Sequence, residues 1–220
     1  MENVTPLVPP SWNGSLSFGW EKTKQYFLPL LLIILVIAIA NAPVDLIKKN
    51  EEQEYTSTRI MLEIIGVAYW LLLLPIFEYS ADLMFVQAVR NQKINLRDIV
   101  IGFNNYLNIV LAHLLVTALI GISLIALIIP GIIVACRLAF VSYLIMDKKL
   151  DPIAAVEASW KLTSGHGWRI FGLGFTSIFI FLIGLVCFIV GIFPALIWIK
   201  ASFASLYRAV LIEKEGGAGY

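Results

Sequence analysis

The fold is decided by the stretch Leu124–Trp168, which reads LIALIIPGIIVACRLAFVSYLIMDKKLDPIAAVEASWKLTSGHGW. Its long apolar run is interrupted by Pro130-Gly131, carries one charge at Arg137, and ends abruptly at Asp147-Lys148-Lys149. Asp151-Pro152 then offers an N-cap carboxylate and a proline at the first helical position, which together begin a short helix. Weaker copies of this layout lie on either side. The stretch therefore predicts a membrane span followed by a short polar-apolar helix.

The composition of the chain indicates a membrane protein. Hydrophobic residues make up 60% of the sequence and charged residues 14%, and the mean hydropathy is +0.87. Soluble domains average about 45–50% apolar and about 25% charged residues. The 48 residues between Asp98 and Asp147 include Arg137 as their only formal charge. Since a bilayer-spanning helix needs about 20 apolar residues, two spans fit there, and Ile170–Ile212 has room for two more.

The apolar runs predict an all-α, polytopic membrane bundle of six transmembrane helices. We expect an N-terminal tail with an interfacial amphipathic helix over residues 1–25, a six-span membrane domain over 26–212, and a C-terminal tail over 213–220. Asn95 is a plausible N-cap for the helix that leads into the third span. The third and fourth spans are predicted to turn near Gly121-Ile122-Ser123, and the fifth and sixth near Gly184 or Gly191.

The placement of lysine and arginine predicts the orientation. Eleven basic residues fall on the side of the two termini and three on the opposite side. The positive-inside rule then places both termini in the cytoplasm. The eleven residues are Lys22, Lys24, Arg90, Lys93, Arg97, Lys148, Lys149, Lys161, Arg169, Arg208 and Lys214.

Three prolines indicate an internal repeat. Pro75, Pro130 and Pro194 each fall in the predicted second span of a pair and precede similar strings: IFEYSADLMFVQAVR, GIIVACRLAFVSYLIMD and ALIWIKASFASLYRAVL. The prediction is three pseudo-repeated pairs, each an interfacial helix, a span and a proline-containing span. Chance similarity among apolar strings is the alternative. Each proline is expected to kink its helix, although such breaks can also build transporter sites.

Four tryptophans are predicted to anchor the chain at the membrane surface. Trp12 and Trp20 lie on one stripe of an amphipathic helix predicted over residues 11–26, with a disordered tail as the alternative. Trp160 lies in the short polar-apolar helix, and Trp168 begins the fifth span. Tryptophan favours the headgroup region, because its flat ring is apolar and its edge is polar.

Four charged residues are predicted to cluster inside the membrane: Glu78, Asp82, Arg137 and Lys200. Asp82 and Arg137 each follow their proline by seven residues, and Lys200 follows its own by six. Because a lone charge in hydrocarbon costs at least about 2.5–3.5 kcal/mol, we predict that Asp82 and Arg137 meet directly or through Lys200. A structural ion pair is the favoured interpretation. The alternative is an ion, proton or anionic-headgroup site, which Glu78 supports because it lies one turn from Asp82.

The sequence shows no pattern that predicts catalysis. Cys136 and Cys187 lie in apolar runs without disulfide or metal-ligand spacing. His113 is interpreted as a hydrogen-bonded core residue, and His166 lies in a turn with no serine or cysteine nucleophile paired to it. No glycine-rich phosphate loop or zinc spacing occurs. We therefore expect no enzyme activity, no cofactor, no metal and no nucleic-acid partner.

A resemblance to a known family adds to this interpretation. Pro130-Gly131-Ile132, Arg137, the segment 154–163 (AAVEASWKLT), Gly165 and Trp168-Arg169 resemble a prokaryotic membrane domain found beside glycerophosphoryl diester phosphodiesterases, together with its YciC-like stand-alone relatives. The resemblance is best over residues 96–183. It implies a six-span module of the cytoplasmic membrane. In fused members of that family the chemistry belongs to a separate soluble barrel, and this sequence has no soluble stretch near the roughly 250 residues that such a barrel requires.

Three functions from different classes follow. The first is a non-catalytic membrane module that binds membrane lipids or a membrane-associated protein partner. The second is a small transporter or channel that uses Glu78, Asp82, Arg137 and Lys200, which would need a water-filled cavity reaching those residues. The third is a membrane-embedded lipid enzyme, for which only His166, Lys161 and Glu157 are candidates.

Overall fold

The computed structural model of this chain describes residues 11–49, 57–186 and 188–217. The described residues form ten α-helices and one 3₁₀ helix, and they contain no strand. The all-α prediction is therefore confirmed. The elements are α1 Trp12–Gln25, α2 Phe27–Lys49, α3 Ser57–Leu72, α4 Leu74–Val89, the 3₁₀ helix η1 Leu96–Asn105, α5 Tyr106–Ala126, α6 Ile128–Leu138, α7 Val141–Lys148, α8 Pro152–Thr163, α9 Gly167–Val186 and α10 Phe188–Gly217.

Six helical stretches of the described chain are long and apolar enough to cross a membrane. Three of them join two consecutive helices: α3 with α4, η1 with α5, and α6 with α7. The outer surface of the bundle carries many large apolar side chains, which a lipid phase would cover. The number of these helical stretches agrees with the six apolar stretches that the sequence predicts. The stretches are Phe27–Val44, Arg59–Val89, Leu96–Ala126, Ile128–Lys148, Gly167–Val186 and Gly191–Glu215.

The last span, α10, lies at the centre of the bundle. In its apolar window 61% of the residues are buried, against 39% or less in the other spans. Small side chains such as Ala201 and Ala204 let neighbouring helices approach it closely, as is typical of membrane helix packing. The N-terminal helix α1 packs along it, where the indole nitrogen of Trp198 donates a 2.8 Å hydrogen bond to the Leu16 carbonyl. A Cβ on Gly19 would lie only 2.8 Å from Cα of Ser202, so glycine is required at this contact.

The turn between the third and fourth spans lies at Leu127, and the prediction near Gly121 is wrong. α5 runs through Gly121 to Ala126, and Leu127 is extended, with φ −163° and ψ 145°. The reason lies in Pro130, whose missing N–H is tolerated in the first turn of α6 but not deeper in a helix. Gly131 serves packing instead, because a Cβ there would lie 3.0 Å from Cα of Leu124.

The fifth span ends and the sixth begins between Gly184 and Gly191, the two glycines near which the sequence predicts the turn. α9 ends at Val186 and α10 begins at Phe188. Gly184 itself lies in α9, where a Cβ would come 2.8 Å from the carbonyl oxygen of Gly191. Gly184 therefore allows the two helices to approach closely near their connection.

The three prolines occupy three different positions. Pro75 lies in the first turn of α4, directly after the break at Leu73 in the middle of the second span. Pro130 lies in the first turn of α6, at the beginning of the fourth span. Pro194 lies inside the continuous helix α10. The fourth span is interrupted at Phe140, ten residues after its proline.

The short helix α8 packs against this interruption. The hydroxyl of Ser159 donates a 2.7 Å hydrogen bond to the carbonyl of Arg137 and accepts a 3.3 Å bond from the N–H of Phe140. Thr163 donates a further bond of 3.3 Å to the same carbonyl. Backbone groups freed inside a membrane span must find partners within the protein, and α8 supplies them. Its start at Asp151 is as predicted, with the carboxylate accepting from the N–H groups of Ile153 and Ala154 at 3.1 Å.

Candidate functional site

The structure brings three of the four predicted intramembrane charges together. Lys200 of α10 donates a 2.7 Å hydrogen bond from Nζ to Oδ1 of Asp82 in α4, and Asp82 is 8% exposed. Glu78, one turn before Asp82, is close enough to interact electrostatically with both groups. Tyr143 of α7 also lies within electrostatic range of Asp82. These charged groups join the central helix to α4.

Arg137 lies apart from this cluster and does not pair with Asp82. Its Cζ atom is 5.7 Å from the centroid of the Trp160 ring, a cation–π contact with α8. Its Nη1 nitrogen is buried and has no hydrogen-bond partner in the described part of the chain. The equal offsets from Pro75 and Pro130 do not give equal depth, because Pro75 lies in the middle of its span and Pro130 at the beginning of its own.

A cavity of about 570 Å³ lies beside Arg137, between α6 and the connection from α8 to α9. This volume falls in the range of roughly 300–1,000 Å³ that is usual for ligand pockets. Arg137 is the only charged residue of its lining, and most of the wall is aliphatic or aromatic. The lining residues are Ile129, Ile132, Ile133, Cys136, Arg137, Gly165, Gly167, Trp168 and Phe171.

One wall of the cavity is the N-terminus of α9. Gly165 has a left-handed φ of +86°, and a Cβ on Gly165 or Gly167 would meet no atom within 4 Å. α9 begins at Gly167, so the N–H groups of Gly167 and Trp168 have no acceptor within the helix. These two N–H groups and that of Gly165 make no hydrogen bond in the described structure. The N–H groups of Arg169 and Ile170, by contrast, donate to the His166 carbonyl.

The connection between α8 and α9 is fastened to α10 by a charged contact. His166 is 4% exposed, and its Nε2 lies 3.0 Å from Oε2 of Glu213. Arg169 reaches the same carboxylate oxygen at 3.5 Å. His166 therefore holds this connection in place beside the cavity, and it does not itself line the cavity.

The four predicted tryptophan anchors are all exposed on the outside of the bundle. Trp168 is the most exposed of them and also forms part of the cavity wall. Trp160 contacts Arg137, and Trp20 packs against Trp198 with ring centroids 4.9 Å apart. Trp12 lies against α9, where a Cβ on Gly172 would come within 2.7 Å of its ring. Trp12, Trp20 and Trp160 therefore make tertiary contacts that the sequence did not indicate.

A buried polar network at one end of the bundle was missed by the sequence interpretation. Arg90 donates two hydrogen bonds to the carboxylate of Asp147, at 2.5 and 2.6 Å, and the Tyr207 hydroxyl donates a third at 2.9 Å. Burial alone would lower the pKa of Arg90, but the hydrogen bonds and the charge of Asp147 raise it above its ordinary value. The signal was present, because residues of opposite charge end the second span and the fourth.

His113 differs from its interpretation as a hydrogen-bonded core residue. Its Nε2 is buried and has no hydrogen-bond partner in residues 11–49, 57–186 and 188–217. The imidazole is held by aromatic contacts instead, with ring centroids 5.9 Å from Trp70 and 6.5 Å from Tyr79. It therefore packs as an apolar ring between α3, α4 and α5.

The described residues contain no group of three or more histidine, cysteine, aspartate or glutamate side chains that could hold a metal ion. No protein-family model, curated protein or solved structure matches this chain. The cavity beside Arg137 is thus the feature from which a function is inferred.

Proposed function

We propose that this chain is a non-catalytic, multi-pass module of a prokaryotic cytoplasmic membrane, and that it binds a membrane lipid in the cavity beside Arg137. One observation carries the proposal: a cavity with apolar walls contains a single cation, which has no carboxylate partner among the described residues. An amphiphile with an anionic head and an apolar chain has the matching chemistry. A charged residue inside a membrane domain commonly marks a binding site.

The walls of the cavity favour a ligand that comes from the bilayer. Ile129, Ile133 and Phe171 line the cavity and are also exposed on the apolar exterior of the bundle. A lipid chain can therefore reach the cavity sideways without crossing water. A soluble metabolite would have to leave water and contact aliphatic walls, which offer its polar groups no hydrogen bonds.

The cluster of Glu78, Asp82 and Lys200 is assigned a structural role. Lys200 and Asp82 neutralise each other at 2.7 Å, and these three residues do not line the cavity beside Arg137. A transport pathway would need polar groups leading from the cavity to the cluster. The paired charges instead fix the rotation of α10 against α4, as buried ion pairs can do.

The arrangement in the membrane is part of the same proposal. α1 and α8 each precede a pair of spans, and η1 leads directly into α5 at the start of the second pair, which supports three pseudo-repeated units. The exposed tryptophans Trp12, Trp20, Trp160 and Trp168 suit the headgroup region. The excess of lysine and arginine on one side supports cytoplasmic termini. A YciC-like module of this kind would act through bound lipids and through a membrane-associated protein partner.

Native mass spectrometry of the protein extracted in mild detergent tests lipid binding in this cavity. Ile133→Trp fills the cavity, and Ile178→Trp is its matched control. The two isoleucines are 51% and 56% exposed, and only Ile133 lines the cavity. We expect lipid adducts on the wild type and on Ile178→Trp, and their loss from Ile133→Trp. Equal lipid retention by both variants would contradict the proposal.

A further inference from the structure

Arg137 carries a charge that no described residue neutralises, and this charge indicates which headgroup the bound lipid has. Its Nη1 nitrogen is buried and unbonded, and Arg137 forms no ion pair in the described structure. A guanidinium that leaves water without an anionic partner loses solvation that its cation–π contact with Trp160 restores only in part. An anion in the cavity would neutralise this charge, because Arg137 lines the cavity.

Three further donors belong to residues that line the same cavity. The N–H groups of Gly165, Gly167 and Trp168 have no hydrogen bond within the described residues, and all three residues line the cavity. Two of these groups belong to the first turn of α9, a helix of 20 residues whose dipole favours negative charge at this end. The guanidinium and these backbone donors therefore combine side-chain and main-chain recognition of one anion.

We infer that this end of the cavity holds the phosphate of an anionic glycerophospholipid, bound by Arg137 and by the backbone N–H groups of Gly165, Gly167 and Trp168. The inference rests on the proposed lipid-binding function and names the class of lipid. Phosphate fits this donor set, because its oxygens accept from a planar guanidinium and from helix N-terminal amides at the same time. Ile129, Ile132 and Ile133 form the adjoining wall, where an acyl chain packs.

Two residues shape the site without donating to the ligand. Trp160 contacts the guanidinium from α8 and holds it towards the cavity, so it is a positioning residue. Gly167 leaves open the space in which the phosphate lies, because a side chain there would extend into unoccupied volume. The same connection is fixed by His166 and Glu213, which keeps the free N–H groups in place.

Binding of defined lipids to delipidated protein tests the inference, with phosphatidylglycerol, phosphatidylcholine and diacylglycerol as probes in native mass spectrometry. We expect a preference for phosphatidylglycerol over diacylglycerol, which lacks the phosphate, of at least about tenfold, the effect of one charge-assisted hydrogen bond. Phosphatidylcholine carries the same phosphate beside a choline cation, so its binding should lie between the two. Arg137→Gln should reduce that preference severalfold, because only the backbone donors remain, while apolar binding is kept. Arg97→Gln is the matched control, because Arg97 is exposed and does not line the cavity. Arg137→Lys should keep only part of the preference, since lysine lacks the planar fork.

The outcomes separate this inference from the proposed function. Equal binding of the three lipids to the wild-type protein would overturn the phosphate assignment and leave lipid binding intact. Failure of every lipid to bind would overturn both. Glycerol 3-phosphate distinguishes the source of the phosphate: if it displaces phosphatidylglycerol at similar concentration, the ligand is a soluble anion and the lipid assignment is wrong. An unchanged preference in Arg137→Gln would also contradict the inference.

Discussion

Lys200 Nζ lies 2.7 Å from Oδ1 of Asp82, and this contact joins the central helix α10 to α4. Both side chains belong to spans whose other residues are overwhelmingly apolar. Each charge is costly in such surroundings unless the other is present. The pair therefore specifies how two packed helices face each other. Its removal should lower the stability of the protein.

Single substitutions of this pair should destabilise the protein more than the double substitution does. Asp82→Asn or Lys200→Met leaves one charge without its partner, at a cost of about 3–5 kcal/mol for a buried pair. The double variant removes both charges and should recover part of the loss. Thermal unfolding in detergent measures the three variants. Strictly additive losses would show that the two groups do not interact.

Tyr207→Phe should destabilise the network around Asp147. The variant removes a 2.9 Å hydrogen bond to a carboxylate that Arg90 already holds. Hydrogen bonds to charged groups contribute about 1.5–3 kcal/mol, so the melting temperature should fall. Tyr106→Phe is the control, since the Tyr106 hydroxyl takes part in none of the hydrogen bonds of this network. An equal fall in both variants would show that the Asp147 contact is not the cause.

Gly19→Ala should loosen α1 from α10. A Cβ at this position would lie 2.8 Å from two backbone atoms of Ser202, so one of the helices must move. Gly174→Ala is the matched control, because a Cβ there meets nothing within 4 Å. Alanine normally stabilises a helix by about 0.5–1 kcal/mol relative to glycine. Thermal unfolding should therefore separate the two variants in opposite directions, and equal behaviour would contradict the close contact.

Cysteine labelling in intact cells tests the proposed orientation. In a chain without Cys136 and Cys187, an impermeant maleimide should modify Glu51→Cys and leave Lys148→Cys unmodified. Glu51 lies outside the described residues, in the loop predicted to face away from the cytoplasm. After the membrane is permeabilised, both sites should react. Labelling of Lys148→Cys in sealed cells would reverse the orientation and place the connection before α8 outside.

Much of the architecture could be predicted from local signals in the sequence. The six spans follow from apolar runs, and the start of α8 follows from Asp151-Pro152. Asn95 likewise precedes η1, with its side chain accepting a 3.2 Å hydrogen bond from the N–H of Arg97. Each of these features depends on a few neighbouring residues, so no knowledge of the packing was needed.

The choice of ion-pair partners could not be predicted in the same way. Asp82 and Arg137 were paired because each follows its proline, Pro75 or Pro130, by seven residues. The two prolines, however, lie at different positions along their spans. Whether Lys200 or Arg137 reaches Asp82 depends on the rotation and tilt of three helices. The cavity was missed for a related reason, because its donors are backbone N–H groups that become free only where α9 begins.

The reactivity of Cys136 measures occupancy of the cavity most directly, because Cys136 lines it. In a Cys187→Ser chain, the rate at which a small maleimide alkylates Cys136 should fall as phosphatidylglycerol is added to delipidated protein. At the same lipid concentration Arg137→Gln should be protected less, because its lipid binds through apolar contacts and the backbone donors alone. An alkylation rate that stays constant while mass spectrometry shows bound phosphatidylglycerol would place the lipid elsewhere and contradict the account.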